Sequence, residues 1–406
     1  MSSQSIPAGM DDDLDSLSGR ARRAIPLIAV AVTVIITASL VYLHPGFGTA
    51  RRALTFPAPS PSPSLIPFRF SVTYDFATPS AGWSLVADST STPSRFWIYA
   101  TTDGARHWSP QLSGQCPAGN VFPFGLQFFD RNRGFASLVC GLYRTSDGGN
   151  SWERVPLPPY EESTLTFADP FDGWFLSQVT DQQPALHFLV THDAGRTWSE
   201  LPTPPVLVFG AKGGLTVVQF RDARNGWMGA DTGDLPTVYS TSDGGRSWQA
   251  HILPSIPLQP GQGGKPSQTA TSIELVPGGG VMAMTSDPAG NPVAFTTFDG
   301  GASWRRIAAA PGNTRYADFV FVDSRNWWAM RFGTLFKTSD SGRTWKQVVL
   351  VMDEWDYTPG IIDAKHAWAA LRADQGPGQP SPHGTGLATT ADGGLHWTYV
   401  TPPQQS

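Results

Sequence analysis

The chain has 406 residues, of which 15% are charged, with 42 Gly, 36 Pro, 15 Trp and a formal net charge of −5. An acidic balance of this kind excludes general nucleic-acid binding, which needs a basic surface. The Gly, Pro and aromatic content fits a turn-rich β protein rather than a helical one, and the length is ample for a large core.

Residues 1–23 are polar, with Asp11-Asp12-Asp13 among Ser-rich flanks, and read as a disordered cytoplasmic tail. Arg20, Arg22 and Arg23 stand before a run from Ala24 to Leu43 that carries no charge. As a helix, that run matches a bilayer core of roughly 30 Å. The three Arg place the N-terminus inside, although Arg51 and Arg52 on the far side weaken the asymmetry. The competing reading is a cleaved signal peptide, whose apolar core is usually about 7–15 residues. The longer run, with no clean small-residue exit, predicts an uncleaved transmembrane signal-anchor over 24–43. That makes a single-pass membrane protein with the remainder extracytoplasmic. Residues 44–67 include Pro57 to Pro63, an alternating Pro/Ser stretch that reads as a semi-rigid spacer.

From about Phe68 to about Pro402 one eight-residue phrase recurs. It reads Thr145-Ser-Asp147-Gly-Gly-Asn-Ser-Trp152 and Thr241-Ser-Asp243-Gly-Gly-Arg-Ser-Trp248, with looser copies starting at Thr101, Thr191, Thr297, Thr338 and Thr390. Its acidic members are Asp103, Asp147, Asp193, Asp243, Asp299, Asp340 and Asp392. Such a period marks a propeller or solenoid. Asp-Gly and Gly-Gly are turn residues, Thr suits a strand end, and the closing Trp is a large apolar anchor. The phrase predicts strand, stapled turn, strand, with the Trp driven into the core. A second phrase precedes it: Asp, three residues, Gly, aromatic, as in Asp130 to Phe135, Asp169 to Trp174 and Asp222 to Trp227. Asp323 to Trp328 and Asp363 to Trp368 replace the Gly, and the first and fifth units keep only Gly82-Trp83 and Gly280-Val281. Each unit yields four short strands, A to D. The prediction is an all-β, seven-bladed β-propeller of four-stranded antiparallel blades. Both ends supply whole blades, so closure is expected from packing of the last blade on the first rather than from a borrowed strand.

Cys116 and Cys140 fall in connections on one face of such a ring. A structural disulfide, favoured outside the cytoplasm, is the expectation, against two free buried thiols.

The turn phrase resembles the Asp-box, or bacterial neuraminidase repeat. Seven copies with the strand B phrase resemble the seven-bladed photosystem II assembly and stability factor family. Sialidases, xyloglucanases and sortilin-type receptors carry the same box, so the resemblance is specific for fold and poor for function. It implies that the seven box Asp residues are structural members of outer turns, and that the protein is a non-enzymatic binding or complex-assembly factor.

The search for chemistry supports that implication. Sialidase-like propellers carry an Arg-Ile-Pro phrase before the first box; Phe68-Arg69-Phe70 and Ser94-Arg95-Phe96 lack it. Glycosidases need two carboxylates separated by roughly 5–9.5 Å, and Glu161-Glu162 and Asp353-Glu354-x-Asp356 read as loop charge. There is no phosphate loop, His-Glu-x-x-His, Cys-x-x-Cys or Gly-x-Ser-x-Gly, and the scattered His give no metal site. No catalytic residue and no cofactor is expected.

Sorting charges by connection puts many acids on the face of the D–A and B–C connections. The opposite face mixes the box Asp with Arg106, Arg131, Arg133, Arg196, Arg221, Arg224, Arg246, Arg325, Arg343 and Lys365. An acidic field favours a basic partner or a cation; ordinary solvated surface is the alternative. Trp355 with Asp353, Glu354 and Asp356, and Tyr160 with Glu161 and Glu162, are the candidate partner-binding residues, because aromatics among charges make interface anchors. Trp355 covering a blade joint is the other reading. The expected partner is a protein, a membrane complex among the candidates. A cell-surface glycan-binding or glycoside-hydrolase propeller is the alternative function.

Overall fold

The computed structural model describes residues 66–67, 70–88, 90–91, 93–116, 123–138, 140–155, 158, 163–179, 185–204, 218–230, 236–254, 272–286, 292–308, 318–331, 334–349, 356–373 and 384–403. The expected tail, the transmembrane segment 24–43 and the spacer up to residue 65 lie outside the described residues. Among the described residues no helix is long and apolar enough to cross a membrane.

Seven antiparallel sheets follow one another along the chain. Blade 2 is typical, with strands A to D at Pro123–Phe128, Gly134–Leu138, Gly141–Thr145 and Glu153–Val155, hydrogen-bonded in sequence order. The A strands of successive blades lie side by side, as Phe70–Phe76 does with Pro123–Phe128. They therefore form the inner wall of the ring, and the D strands form its rim.

The two repeated phrases are halves of one device. In all seven C–D turns the opening Thr hydroxyl donates to the Asp Oδ1 at 2.7–3.0 Å. The same carboxylate oxygen accepts the backbone N–H four residues beyond the Asp. The chain passes through positive φ at the two residues after the Asp, as at Gly244 (76°) and Gly245 (94°), a region that Gly enters without steric cost. In five blades the A–B turn is stapled by its own Asp, which accepts two backbone N–H groups ahead of it, as Asp130 does from Asn132 and Arg133. The turns are then joined: Gly148 N–H donates to Asn132 C=O at 2.8 Å, and five other blades make the equivalent bond. Both turns thus lie on one face because each satisfies backbone groups of the other.

The aromatics divide differently from the sequence expectation. The strand B residues Trp83, Phe135, Trp174, Trp227, Trp328 and Trp368 are buried, whereas all seven closing Trp of the turn phrase are half-buried. The indole that plugs the core comes from the second phrase; the turn Trp caps the joint from the rim. Trp345, for example, donates its indole N–H to the Ala308 carbonyl of the preceding blade. The Gly before the strand B aromatic makes room for a ring of the same blade. A Cβ on Gly173 would lie 2.5 Å from the Phe167 ring. Blade 7 has Ala367 there and exchanges the roles: Gly360 on strand A lies opposite Trp368 and receives its ring.

Ring closure also departs from expectation. Ile66–Pro67 pairs with Gly384–Thr390, the C strand of blade 7, through Ile66↔Thr385 and Pro67↔Gly384. Thr398–Val400 covers the other half of the same strand, so blade 7 is five-stranded and its rim is shared by both ends of the propeller. Ile66 is buried among Phe70, Val86 and Tyr99 of blade 1. The indole N–H of Trp108 in blade 1 donates to Thr401 C=O at 3.0 Å. A borrowed strand closes the ring because the short strand D of blade 7 leaves half of its neighbour's edge unpaired.

Candidate functional site: the joint between blades 2 and 3

The candidate residues chosen from sequence on the D–A/B–C face are not brought together in the described structure. Tyr160, Glu161, Glu162, Asp353, Glu354 and Trp355 lie outside the described residues. Asp356 begins strand A of blade 7 opposite Arg372. The turn-phrase residues Asp103, Asp147, Asp193, Asp243, Asp299, Asp340 and Asp392 sit in the C–D turns. Asp243 is pulled down to about 2, first by the Ser247 hydroxyl and then by the Ser247 N–H. Such a carboxylate stays ionised and spent on its turn, which disqualifies it as a proton acceptor near neutral pH. Cys116, the last residue of strand D of blade 1, is disulfide-bonded to Cys140 in the B–C connection of blade 2, with Cα atoms 5.4 Å apart.

The site the structure does assemble is a cleft on the opposite face, at the joint between blades 2 and 3. At joint 1–2, Trp83 stacks on Phe128 with centroids 3.5 Å apart, and its indole N–H donates to Gly148 C=O in the turn of blade 2. At joint 3–4, Trp174 stacks on Phe220 at 3.5 Å and donates to Gly244 C=O at 3.1 Å. At joint 2–3 the strand B aromatic is Phe135, stacked on Phe167 at 4.1 Å. A phenyl ring is smaller than an indole and has no N–H to give. Ala194, which holds the turn position of Gly148 and Gly244, is buried with Phe135 and Phe167 in one apolar cluster. The joint holds a cavity of about 280 Å³ lined by Phe135, Thr145, Ser146, Ala194 and charged side chains of both blades.

Those charges are three guanidinium groups and one carboxylate: Arg133, Arg144, Arg196 and Glu153. Arg144 and Glu153 face each other across strands C and D of blade 2. Arg144 donates to Glu153 Oε2 from Nε at 2.8 Å and from Nη2 at 2.5 Å. Arg196 reaches back from the turn of blade 3, with Nε 3.2 Å from Oε1 and Nη2 3.0 Å from Oε2. Arg133 is held by Asp130 at 2.7 Å. Phe171, in the A–B turn of blade 3, forms the rim and is 53% exposed. The equivalent turn positions in blades 4, 6 and 7 carry Arg224, Arg325 and Lys365.

Planar guanidinium forks bind carboxylates bidentately, so the cleft suits an acidic group next to an apolar one. Its lining holds a single carboxylate, and the Thr145 and Ser151 hydroxyls already donate to Asp147 at 2.9 and 2.6 Å. Among the described residues no cluster of His, Cys, Asp and Glu is placed to hold a metal.

Arg133 and Arg196 belong to the charged set read from sequence on this face; Arg144, Glu153 and Phe171 do not. Two signals in the sequence point to them. Phe135 replaces Trp in one copy of the second phrase, and Phe171 is an apolar residue where the turns of blades 4, 6 and 7 are cationic.

Comparison with known proteins gives a consistent relationship. The family model for the photosynthesis system II assembly factor YCF48 matches residues 118–296. The chain is 25% identical over 288 residues to the chloroplastic photosystem II stability/assembly factor HCF136 of Arabidopsis thaliana, a match covering 63% of this chain and 61% of that protein's length. The structure of YCF48 from Cyanidioschyzon merolae aligns with TM-score 0.52 at 16% identity, covering 83% of this chain and 97% of that one, a likeness of fold. An ancestral GH74 enzyme aligns with TM-score 0.48 at 15% identity over 85% of this chain and 48% of its own. The chain is a seven-bladed β-propeller that resembles the photosystem II assembly factors.

Proposed function

We propose that this protein is a non-enzymatic assembly factor for a membrane complex, a photosystem II complex where its organism makes one. It docks an acidic segment of a client protein in the cleft between blades 2 and 3. The observation that carries the reading is the cleft itself: three guanidinium groups and an exposed Phe around a cavity that two neighbouring joints fill with indole. Its resemblance to the assembly factors supports the class of client. The uncharged run 24–43, with Arg20, Arg22 and Arg23 before it, supports a membrane anchor with the propeller outside the cytoplasm. The Cys116–Cys140 disulfide supports an oxidising compartment.

The test is co-purification from detergent-solubilised membranes. The wild-type chain is expected to recover specific subunits of a membrane complex, and the Arg196→Gln variant several-fold less of them. Recovery of no specific protein, or equal recovery by both, overturns the docking reading. Turnover of chromogenic glycosides by the purified chain overturns the non-enzymatic one.

A further inference from the structure

Glu153 lines the cleft and is bound there as a ligand would be. Two Arg side chains from two different blades converge on its carboxylate, with four donor contacts of 2.5–3.2 Å. Arg144 comes from the same sheet, so that half of the clamp is ordinary cross-strand pairing. Arg196 is different. It belongs to the turn of blade 3, and its side chain is 54% exposed. Without Glu153, two guanidinium groups would face an open cavity whose other cation, Arg133, is already paired with Asp130. Glu153 is itself 48% exposed and stands at the first residue of a three-residue strand. It is therefore free to rotate into solvent without disturbing the sheet.

We infer that the Glu153 carboxylate is a built-in stand-in for the client's carboxylate, and that docking proceeds by exchange: an acidic side chain of the client takes the Arg144–Arg196 clamp as Glu153 swings out. This rests on the cleft being the docking site. Exchange sets the strength of binding. The client gains only the difference between its own ion pairs and those it displaces. The Arg196–Glu153 pair is half-exposed on both sides, and such a pair is weak and screened by salt. The device keeps the cleft's cations neutralised when empty, limits non-specific capture of acidic proteins, and leaves the client releasable.

The test uses the whole purified protein and a fluorescein-labelled peptide alternating Glu and Phe, with its Gln-for-Glu counterpart as the neutral control. Glu153→Gln keeps the shape and removes the charge. It is expected to tighten binding of the acidic peptide about five-fold, equivalent to about 1 kcal/mol, and to steepen the salt dependence, with binding of the neutral peptide unchanged. Adding Arg196→Gln to Glu153→Gln should abolish the gain. Thermal melts of each variant confirm that it is folded. If the wild type binds the acidic peptide and Glu153→Gln binds it equally or more weakly, the exchange is wrong and the cleft stands. If neither folded protein distinguishes acidic from neutral peptide, the cleft reading and the exchange both fail.

Discussion

Joints 1–2 and 2–3 are built from the same sequence positions and do different work. At the first, Trp83 fills the space between blades and donates to Gly148, and the Cys116–Cys140 disulfide ties the blades on the far face. On the inner wall, the Asp75 carboxylate accepts the Phe128 N–H at 2.5 Å. At the second, the corresponding residues are Phe135 and Gln127. Gln127 makes a neutral bond to Phe167 C=O at 3.2 Å, and Phe135 leaves the cavity open. The first joint is filled and crosslinked, and the second keeps a cleft lined by charged side chains. A repeat protein spreads its stability over near-identical interfaces, so one interface can lack an indole while its neighbours hold the ring.

The comparison breaks most visibly at the disulfide. Replacing both Cys116 and Cys140 with Ser releases a crosslink spanning 24 residues, which on chain-entropy grounds lowers stability by about 3 kcal/mol. Denaturant melts of the oxidised chain and the double variant measure this. A loss well under 1 kcal/mol would mean that joint 1–2 is no more locked than its neighbour.

Asp75 sharpens the same contrast through pH. Loss of water around its carboxyl pushes it up to about 6, against the lowering effect of the Phe128 N–H. A folded-state pKa above the unfolded value means that stability is fully present below about pH 4 and is lost as pH rises through about 6. The span is at most about 3 kcal/mol. Asp75→Asn keeps an acceptor for Phe128 and should melt higher than wild type at pH 7.5 but not at pH 4. The turn Asp residues have the opposite sign. Asp243 and Asp299 are held at about 2 by their Ser hydroxyl partners. Their contribution is present above about pH 4 and disappears as pH falls through about 2. A melting temperature that rises steadily from pH 2 to pH 8 would contradict the Asp75 assignment.

The next test converts one joint into the other. Trp174→Phe at joint 3–4 should open a cavity like that above Phe135 and lose the bond to Gly244, lowering stability by about 2 kcal/mol. In reverse, Phe135→Trp should fill the cleft and reach the Ala194 carbonyl. It should leave the melting temperature equal or higher while reducing binding of the acidic peptide about ten-fold, or about 1.4 kcal/mol. A Phe135→Trp protein that binds like wild type would show that the unfilled joint is not the site.

Much of this molecule is legible in its sequence because its signals are local. Thr-x-Asp-Gly-Gly specifies a turn through bonds that span four residues, and Asp130 staples its own turn in the same way. Seven repetitions then fix the number of blades. Which indole enters the core is not local. Trp152 and Trp83 are alike as residues, and only the packing of one blade on the next buries the second and leaves the first at the rim.

The sequence by itself determined the all-β class, the seven units, the turn chemistry and the pairing of two phrases in each unit, since all of these arise within one unit of chain. Tertiary structure alone decided that Ile66–Pro67 closes the ring on blade 7, and that Arg196 of one blade meets Glu153 of another across a cavity left by Phe135. Those contacts join residues from different units, and their geometry is set by how neighbouring blades pack.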